Sequence, residues 1–202
     1  MFDRQVSQWI KPAIDRGAAA LLALGLTANQ ATYIGFGLGL LAAGSIATQH
    51  YGIAAVLIVL SRLFDGLDGA LARLTVPTDQ GGFLDIALDF LFYASIPLAF
   101  AIANPTAHAL PAATLLAAFI GTGSSFLAFA VLAAKRKLTS TAYPAKSFYF
   151  LGGLTEATET LGFFLAMCIW PHQFAVLAYS FAALCTVTIA MRIWWGYQTF
   201  AD

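Results

Sequence analysis

The sequence predicts an all-α, polytopic membrane protein with six transmembrane helices that follow an N-terminal interfacial amphipathic helix. Of the 202 residues, 60% are hydrophobic and only 10% are charged, whereas soluble domains carry about 25% charged residues. The charges are also clustered, and no Asp, Glu, Lys or Arg occurs in the ranges 17–61, 90–134 and 160–191. Each range is long enough for at least one spanning helix of about 20 residues.

The N-terminal segment 1–25 is predicted to be the interfacial helix, because it mixes Trp9 and Ile10 with basic side chains such as Lys11 and Arg16. Pro12 is expected to bend or interrupt it. Length and the Gly, Pro, Asn and His residues between apolar runs then place six spans in a single domain, 1–202. The expected spans, which together cover residues 29–197, are 29–49, 52–75, 81–103, 111–136, 147–170 and 173–197.

The basic residues predict the orientation. With six spans, they gather on the side of the termini: Arg4, Lys11, Arg16, Arg73, Lys135, Arg136, Lys137 and Lys146. The three opposite loops, near 50, 104–110 and 171, hold no Lys or Arg, so both termini are expected on the cytoplasmic side of the cell membrane. The opposite loops contain His50, His108 and His172, which are expected to be solvated. Lys plus Arg equals Asp plus Glu, so net charge gives no reason to expect a nucleic-acid partner.

Four aspartates stand out in the stretch DGLDGALARLTVPTDQGGFLDIALD, residues 65–89. Asp65 and Asp68 are three residues apart and Asp85 and Asp89 four apart, so each pair lies on one helix face. The linker with Pro77 allows two antiparallel spans whose acidic faces meet. Buried charge in a membrane costs at least ~2.5 kcal/mol per residue on insertion scales, so the group needs a partner.

Oxygen ligands without Cys or His favour Mg²⁺ or Mn²⁺, and four carboxylates would balance two such ions. Small residues on the same helix, Gly69 and Ala72, leave room for a bulky anion, and Arg73 offers a planar fork for phosphate oxygens. The pattern therefore predicts a cytoplasmic diphosphate site in which metal ions bridge phosphate oxygens.

The motif resembles the signature of the CDP-alcohol phosphotransferase family, whose eight fixed positions are all present: Asp65, Asp68, Gly69, Ala72, Arg73, Gly81, Asp85 and Asp89. Asn29 and Thr32 match an Asn-x-x-Thr segment of the family, although Ala28 stands where proline is common. The resemblance implies transfer of a substituted phosphate group from a CDP-linked donor to an alcohol hydroxyl, with release of CMP.

The resemblance also implies residue roles. One metal would be held by Asp65, Asp68 and Asp85, a second by Asp65, Asp85 and Asp89, and Asp89 would be the general base. The expected CDP-binding residues are Asn29, Thr32, Gly69, Arg73 and Thr78. Family members are commonly homodimers, so a homodimer is expected here. CDP-diacylglycerol is the favoured donor, since a cleft between apolar helices suits a nucleotide head with acyl tails in the bilayer.

The acceptor stays open. Arg192 interrupts the last span, and Lys135, Arg136 and Lys137 end the fourth. If they converge on the metal site, they favour a phosphorylated acceptor, glycerol 3-phosphate or an inositol phosphate; otherwise Arg192 reaches the interface beside Trp194 and Trp195. Glu156 and Glu159 could pair with these bases or bind a neutral polyol.

Two other classes of protein compete with this interpretation. A divalent-cation transporter also needs intramembrane carboxylates, but the outer halves of the spans offer few polar groups to continue an ion path. A structural scaffold would leave the acids unexplained.

Overall fold

The computed structural model describes residues 3–138 and 153–201, with side chains described from residue 8 onward. The described chain is helical. Its elements are α1 (Asp3–Ala23), α2 (Ala28–Ala47), α3 (Tyr51–Leu74), α4 (Asp79–Ala103), α5 (Pro105–Lys135), α6 (Ala157–Ile169), a 3-10 turn (Pro171–Gln173) and α7 (Phe174–Phe200).

Four of these elements are long and apolar enough to cross a membrane: α2, α4, α5, and α7 with its preceding turn. The protein is therefore an integral membrane protein. Helix α3 has 24 residues but carries four charged side chains, Arg62, Asp65, Asp68 and Arg73. The fifth expected span, 147–170, lies partly outside the described residues, and α6 has 13 residues, fewer than the ~20 of a full span. The count of six spans stays a prediction.

Several helix boundaries follow the predicted ones, but α6 begins at Ala157, so residues 153–156 of the fifth expected span are not helical. Two further differences involve proline. The loop expected over 104–110 is wrong, because α5 begins at Pro105. The Asn104 side chain accepts a hydrogen bond from Ala107 N at 3.2 Å, and proline suits the first helical position, where its missing N–H is not needed. Helix α1 likewise runs through Pro12, so an interruption there is also wrong.

Helix α2 begins without the proline common in the family. Thr27 and Gln30 form a reciprocal capping box, in which the Thr27 hydroxyl accepts from Gln30 N and the Gln30 side chain accepts from Thr27 N. Ala28 is the first helical residue. The capping box satisfies orphan N–H groups at this end, so Ala28 does not prevent the helix from starting here.

The main core is apolar and rich in aromatic side chains. Phe92, Phe100, Phe164, Phe174 and Phe181 are fully buried within it. Helix α2 packs against α3 and α4, α4 packs against α5, and α5 packs against α7. A second, smaller core of Ala18, Ala31, Leu67, Ala70 and Leu71 joins α1, α2 and α3.

His108 belongs to the core, so its expected solvation is wrong. It is 7% exposed, its ring centroid lies 4.8 Å from that of Phe174, and its Nδ1 is 3.1 Å from the Phe100 carbonyl oxygen. The first turn of α5, which the sequence did not predict, carries His108 inward. His50 and His172 are exposed as expected.

Candidate metal and diphosphate site

The four aspartates lie on the two helices flanking a short turn. Asp65 and Asp68 occupy the second half of α3, and Asp85 and Asp89 the first half of α4. The turn between them ends at Thr78, whose hydroxyl accepts a hydrogen bond from Gly81 N at 3.1 Å and caps α4. Helix α2 lies against both helices. The fold thus brings the two acidic pairs to the same end of the helices.

Three of the carboxylates converge. Asp65, Asp68 and Asp85 each offer an oxygen, and these oxygens lie within 4.8 Å of one another. Asp68 is only 6% exposed, and its Oδ2 has no hydrogen-bond partner among the residues that the structure describes. A buried carboxylate oxygen left unpaired beside two other carboxylates is costly without a cation. The donor set therefore fits a hard divalent ion.

Asp89 lies outside this group of three and forms an ion pair with Arg62. The same guanidinium nitrogen of Arg62 lies 3.2 Å from Asp65 Oδ1. The sequence prediction treated the aspartates as one group and missed Arg62. Its signal was available: an arginine inside a span is a functional candidate, and Arg62 precedes Asp65 by three residues, on the same helix face.

A small cavity opens onto the acidic residues. It is lined by Thr32, Gly35, Phe36, Arg62, Asp65, Asp85, Leu88 and Asp89. Its lining comes from α2, α3 and α4, so a group entering it would meet both the carboxylates and the Arg62 guanidinium.

The expected nucleotide-binding residues come from three chain segments. Asn29 and Thr78 meet at Gly81: a Cβ built there would lie 3.1 Å from Asn29 Oδ1 and 3.2 Å from Thr78 Oγ1. Thr32 is buried on the next turn of α2 and donates to the Ala28 carbonyl oxygen at 3.0 Å. At position 81, only a glycine leaves the space between the Asn29 and Thr78 side chains open.

Gly69 and Arg73 lie on the last turns of α3. The Arg73 side chain is exposed and folds back toward Gly69, where a built Cβ would lie 3.4 Å from one terminal guanidinium nitrogen. The guanidinium thus covers a small residue directly after Asp68. A phosphate approaching Gly69 would meet the Arg73 guanidinium next to the Asp68 carboxylate, one of the residues that would hold a cation.

The expected acceptor residues are spread over α5 and α7. Arg192 is 9% exposed and donates to the Thr122 carbonyl oxygen at 3.0 Å, so it faces α5 and does not reach the interface beside the exposed Trp194 and Trp195. It lines a groove between α5 and α7. Arg136 donates to the Phe200 carbonyl oxygen at 3.1 Å, at the end of this groove, and Lys135 and Lys137 are exposed.

Glu156 and Glu159, whose role the sequence left open, form a capping box at the start of α6. Glu159 Oε2 accepts from Glu156 N at 3.1 Å, and Glu156 Oε1 accepts from Gly153 N at 3.3 Å. Nearby, the Thr155 and Thr188 hydroxyls lie 2.9 Å apart and tie this segment to α7. Both glutamates therefore stabilise the helix start that lies beside Arg192.

Two known proteins are similar to this chain, one over nearly its whole length and one over less than half of it. It is 51% identical over 199 residues to the inner membrane protein YnjF of Escherichia coli K12, covering 98% of this chain and 97% of that protein. Over 88 residues, 43% of this chain and 47% of the relative, it is 41% identical to the archaetidylinositol phosphate synthase of Pyrococcus horikoshii.

Solved structures share the fold. Mycobacterium tuberculosis phosphatidylinositol phosphate synthase (PgsA1) with CDP-DAG bound superposes with a TM-score of 0.67 at 21% identity, covering 91% of this chain and 93% of that one. The same enzyme with manganese and citrate gives 0.68 at 21% identity, covering 91% and 88%. Residues 22–194 match the CDP-alcohol phosphatidyltransferase family. This chain belongs to that family.

Proposed function

We propose that this protein transfers a phosphatidyl group from CDP-diacylglycerol to the hydroxyl of a phosphorylated polyol, glycerol 3-phosphate or an inositol phosphate, and releases CMP. The observation that carries the proposal is the convergence of Asp65, Asp68 and Asp85 beside the junction of Asn29, Thr78 and Gly81. One relative is an archaetidylinositol phosphate synthase, and a structural neighbour is a phosphatidylinositol phosphate synthase that was solved with CDP-DAG bound. Arg192 lines the groove between α5 and α7 and does not line the cavity at the aspartates, so the charge of this buried arginine, and not its convergence on the metal site, supports an acceptor that carries a phosphate.

The proposed cofactor is Mg²⁺ or Mn²⁺. The first ion would bind Asp65, Asp68 and Asp85, and a second Asp65, Asp85 and Asp89. When bound, these ions supply positive charge to the diphosphate oxygens. Gly69 leaves room for the diphosphate, and Arg73, Asn29, Thr32 and Thr78 hold the CDP group.

The proposed base is Asp89. It takes the proton of the acceptor hydroxyl as the hydroxyl oxygen bonds to the phosphorus attached to diacylglycerol; the bond from that phosphorus to CMP breaks, and CMP leaves as an anion. Arg62 orients one Asp89 carboxylate oxygen. The other oxygen is the one proposed to face the substrate.

We also propose that the active site and both termini lie on the cytoplasmic side and that the protein is a homodimer. The orientation rests on the basic residues at the helix ends that flank the site. The dimer rests on the family resemblance alone.

A CMP-release assay tests the function. Purified protein in detergent with Mn²⁺ and CDP-diacylglycerol should release CMP with glycerol 3-phosphate or an inositol phosphate, and chelation with EDTA should stop it. Glycerol and inositol are the matched neutral acceptors. Release with the neutral acceptors alone would reject the phosphorylated acceptor, and no release with any acceptor would reject the proposed transfer from CDP-diacylglycerol.

A further inference from the structure

Ser61 is a polar side chain buried between two apolar helices. It lies on α3 and is fully buried, and its hydroxyl donates a hydrogen bond to the Gly35 carbonyl oxygen of α2 at 2.7 Å. A buried hydroxyl costs free energy unless it is hydrogen-bonded. Neither the proposed metal ligands nor the proposed nucleotide-binding residues include Ser61, so its place beside them needs its own explanation.

The same hydroxyl also accepts a hydrogen bond from Arg62. The Arg62 Nη2 donates to Ser61 Oγ at 3.3 Å, while the Nη1 of the same guanidinium pairs with Asp89 on α4 and lies 3.2 Å from Asp65 Oδ1. A serine hydroxyl has one hydrogen to donate and lone pairs that accept, so both bonds of Ser61 can form at once. A continuous chain of polar contacts therefore runs from the backbone of α2 through Ser61 and Arg62 to Asp89.

Aromatic packing holds the same guanidinium. Its carbon lies 3.9 Å from the centroid of the buried Phe92 ring, close enough for a cation–π contact. The Phe92 ring in turn lies against α2, because a Cβ built at Gly39 would be 2.5 Å from Phe92 Cδ2 and 3.2 Å from Ser61 Oγ. The ring holds the guanidinium from one side, and the contacts at its two terminal nitrogens hold it against rotation.

The shape of arginine makes the two ends of this chain depend on each other. The guanidinium is a rigid planar fork, so a bond at Nη2 sets the direction in which Nη1 points. The Arg62 side chain is only 13% exposed, and a buried donor without an acceptor is unfavourable. Without the Ser61 hydroxyl, the guanidinium would turn toward another acceptor, and the paired carboxylate of Asp89 would turn with it.

We propose that Ser61 is a positioning residue for the transfer reaction: acting through Arg62, it fixes the direction in which the Asp89 carboxylate faces the acceptor hydroxyl. The inference rests on the proposed function, in which Asp89 is the base. Ser61 itself does not touch substrate, since the cavity at the aspartates is lined by Arg62 and Asp89 but not by Ser61.

Steady-state kinetics with a matched serine tests the role. Ser61→Ala should lower the kcat of CMP release by about tenfold, the worth of a hydrogen bond to a charged group, and leave the KM of both substrates within about twofold. Ser45→Ala is the control, because it removes a hydroxyl that donates within its own helix to the Leu41 carbonyl oxygen at 2.8 Å. Its kcat should stay within about twofold of the wild type.

A second background separates positioning from packing, because Ser61→Ala also removes the bond to the Gly35 carbonyl. In Arg62→Met the chain is already broken, so adding Ser61→Ala should lower kcat by less than about twofold further. Arg62→Gln, which lacks the guanidinium fork, replaces Arg62→Met if circular dichroism shows that the latter does not fold.

Thermal unfolding of the same four proteins, without metal or substrate, measures the chain independently of turnover. Ser61→Ala should lower the Tm by about 2–4 °C more in the wild type than in the Arg62→Met background, since the bond between the two side chains is lost only once.

Three results would overturn the inference: a kcat for Ser61→Ala equal to that of Ser45→Ala, an equal loss of kcat in both backgrounds, or an equal fall in Tm in both. Equal losses would mean that Ser61 acts only on the packing of α2 against α3. Failure of the proposed function looks different. In that case the wild type releases no CMP with any acceptor, while the difference in Tm still reports the link between Ser61 and Arg62.

Discussion

At the scale of single residues, the four aspartates have different surroundings, although all four are fixed positions of the same motif. Asp68 is buried and Asp85 is exposed, while Asp89 is paired with Arg62. Burial of a carboxylate is favourable only if the metal ion that it binds is present. A general base needs a carboxylate oxygen that faces the substrate. These differences suit Asp68 to metal binding and Asp89 to proton transfer.

Replacing the proposed base should abolish turnover without unfolding the protein. We expect Asp89→Asn to lower the rate of CMP release by about 10²–10⁴-fold, the usual worth of a general base. Circular dichroism checks that the variant still folds. Robust CMP release from this variant would refute the assignment of Asp89.

Gly81 offers a test of the nucleotide junction with a matched neighbour. A methyl group at Gly81 meets Asn29 and Thr78, whereas one at Gly82 meets nothing within 4 Å. Gly81→Ala should therefore raise the KM for CDP-diacylglycerol by about tenfold, and Gly82→Ala should leave it within about twofold. Equal KM values for the two variants would show that the donor does not contact this junction.

Arg192 tests the acceptor. Arg192→Ala should raise the KM of the phosphorylated acceptor by about tenfold or more, the worth of a charge-assisted hydrogen bond, and change the donor KM little. Steady-state kinetics with each substrate varied in turn measures both. An equal rise in both KM values would instead indicate that Arg192, through its bond to the Thr122 carbonyl, only holds α5 and α7 together.

At the scale of helices, close packing of α2 on α3 positions the cavity. A Cβ at Gly35 would lie 3.2 Å from Phe64 Cβ and 3.2 Å from the Ser61 carbonyl oxygen. In a bilayer, helix association depends on such close packing, since lipid tails are as apolar as the helices. The small residues of α2, visible in the sequence, thus set how near Thr32 lies to the aspartates.

Gly35→Ala should lower the free energy of unfolding by about 1–3 kcal/mol, the usual cost of overpacking. Gly37→Ala, on the same helix with open space around it, should be neutral or stabilise by about 0.5–1 kcal/mol through helix propensity. Thermal unfolding in detergent, followed by circular dichroism, compares them. A Gly35→Ala variant as stable as Gly37→Ala would contradict tight α2–α3 packing.

At the scale of the whole molecule, the acidic site lies at the end of the helices that also carries the exposed turn between α3 and α4. Val76 in this turn is 78% exposed, and His172, before α7, is exposed as well. The predicted topology assigns these two residues to opposite sides of the membrane.

Labelling of single introduced cysteines tests that topology. A membrane-impermeant maleimide should label His172→Cys in intact cells and Val76→Cys only after permeabilisation. Background should be low, because Cys168 and Cys185 are buried. The reverse pattern would invert the orientation, and labelling of both positions in intact cells would refute the six-span topology.

Local spacing was enough to predict much of this protein. Uncharged runs predicted the apolar helices α2, α4 and α7 within a few residues, and the fixed offsets of the aspartates predicted the family, which the family match over residues 22–194 confirms. Both predictions depend on residues that are close together in the sequence. The relative positions of such residues on a helix are the same in any fold. The predictions based on proline were wrong at Pro12, which lies inside α1, and at Pro105, which begins α5. At both positions the surrounding helix outweighs the local tendency of proline to end a helix.

Contacts between distant residues were decided by the tertiary structure alone. The pairing of Arg62 with Asp89 spans 27 residues and that of Arg192 with Thr122 spans 70, and the burial of His108 depends on Phe174. Such contacts depend on how helices pack side by side, which the period of one helix does not encode. The sequence by itself therefore determined the spacing of the acidic motif, because that spacing is local to the chain, and only the packing of α2, α3 and α4 decided that Asp68 is buried and that Asp89 pairs with Arg62.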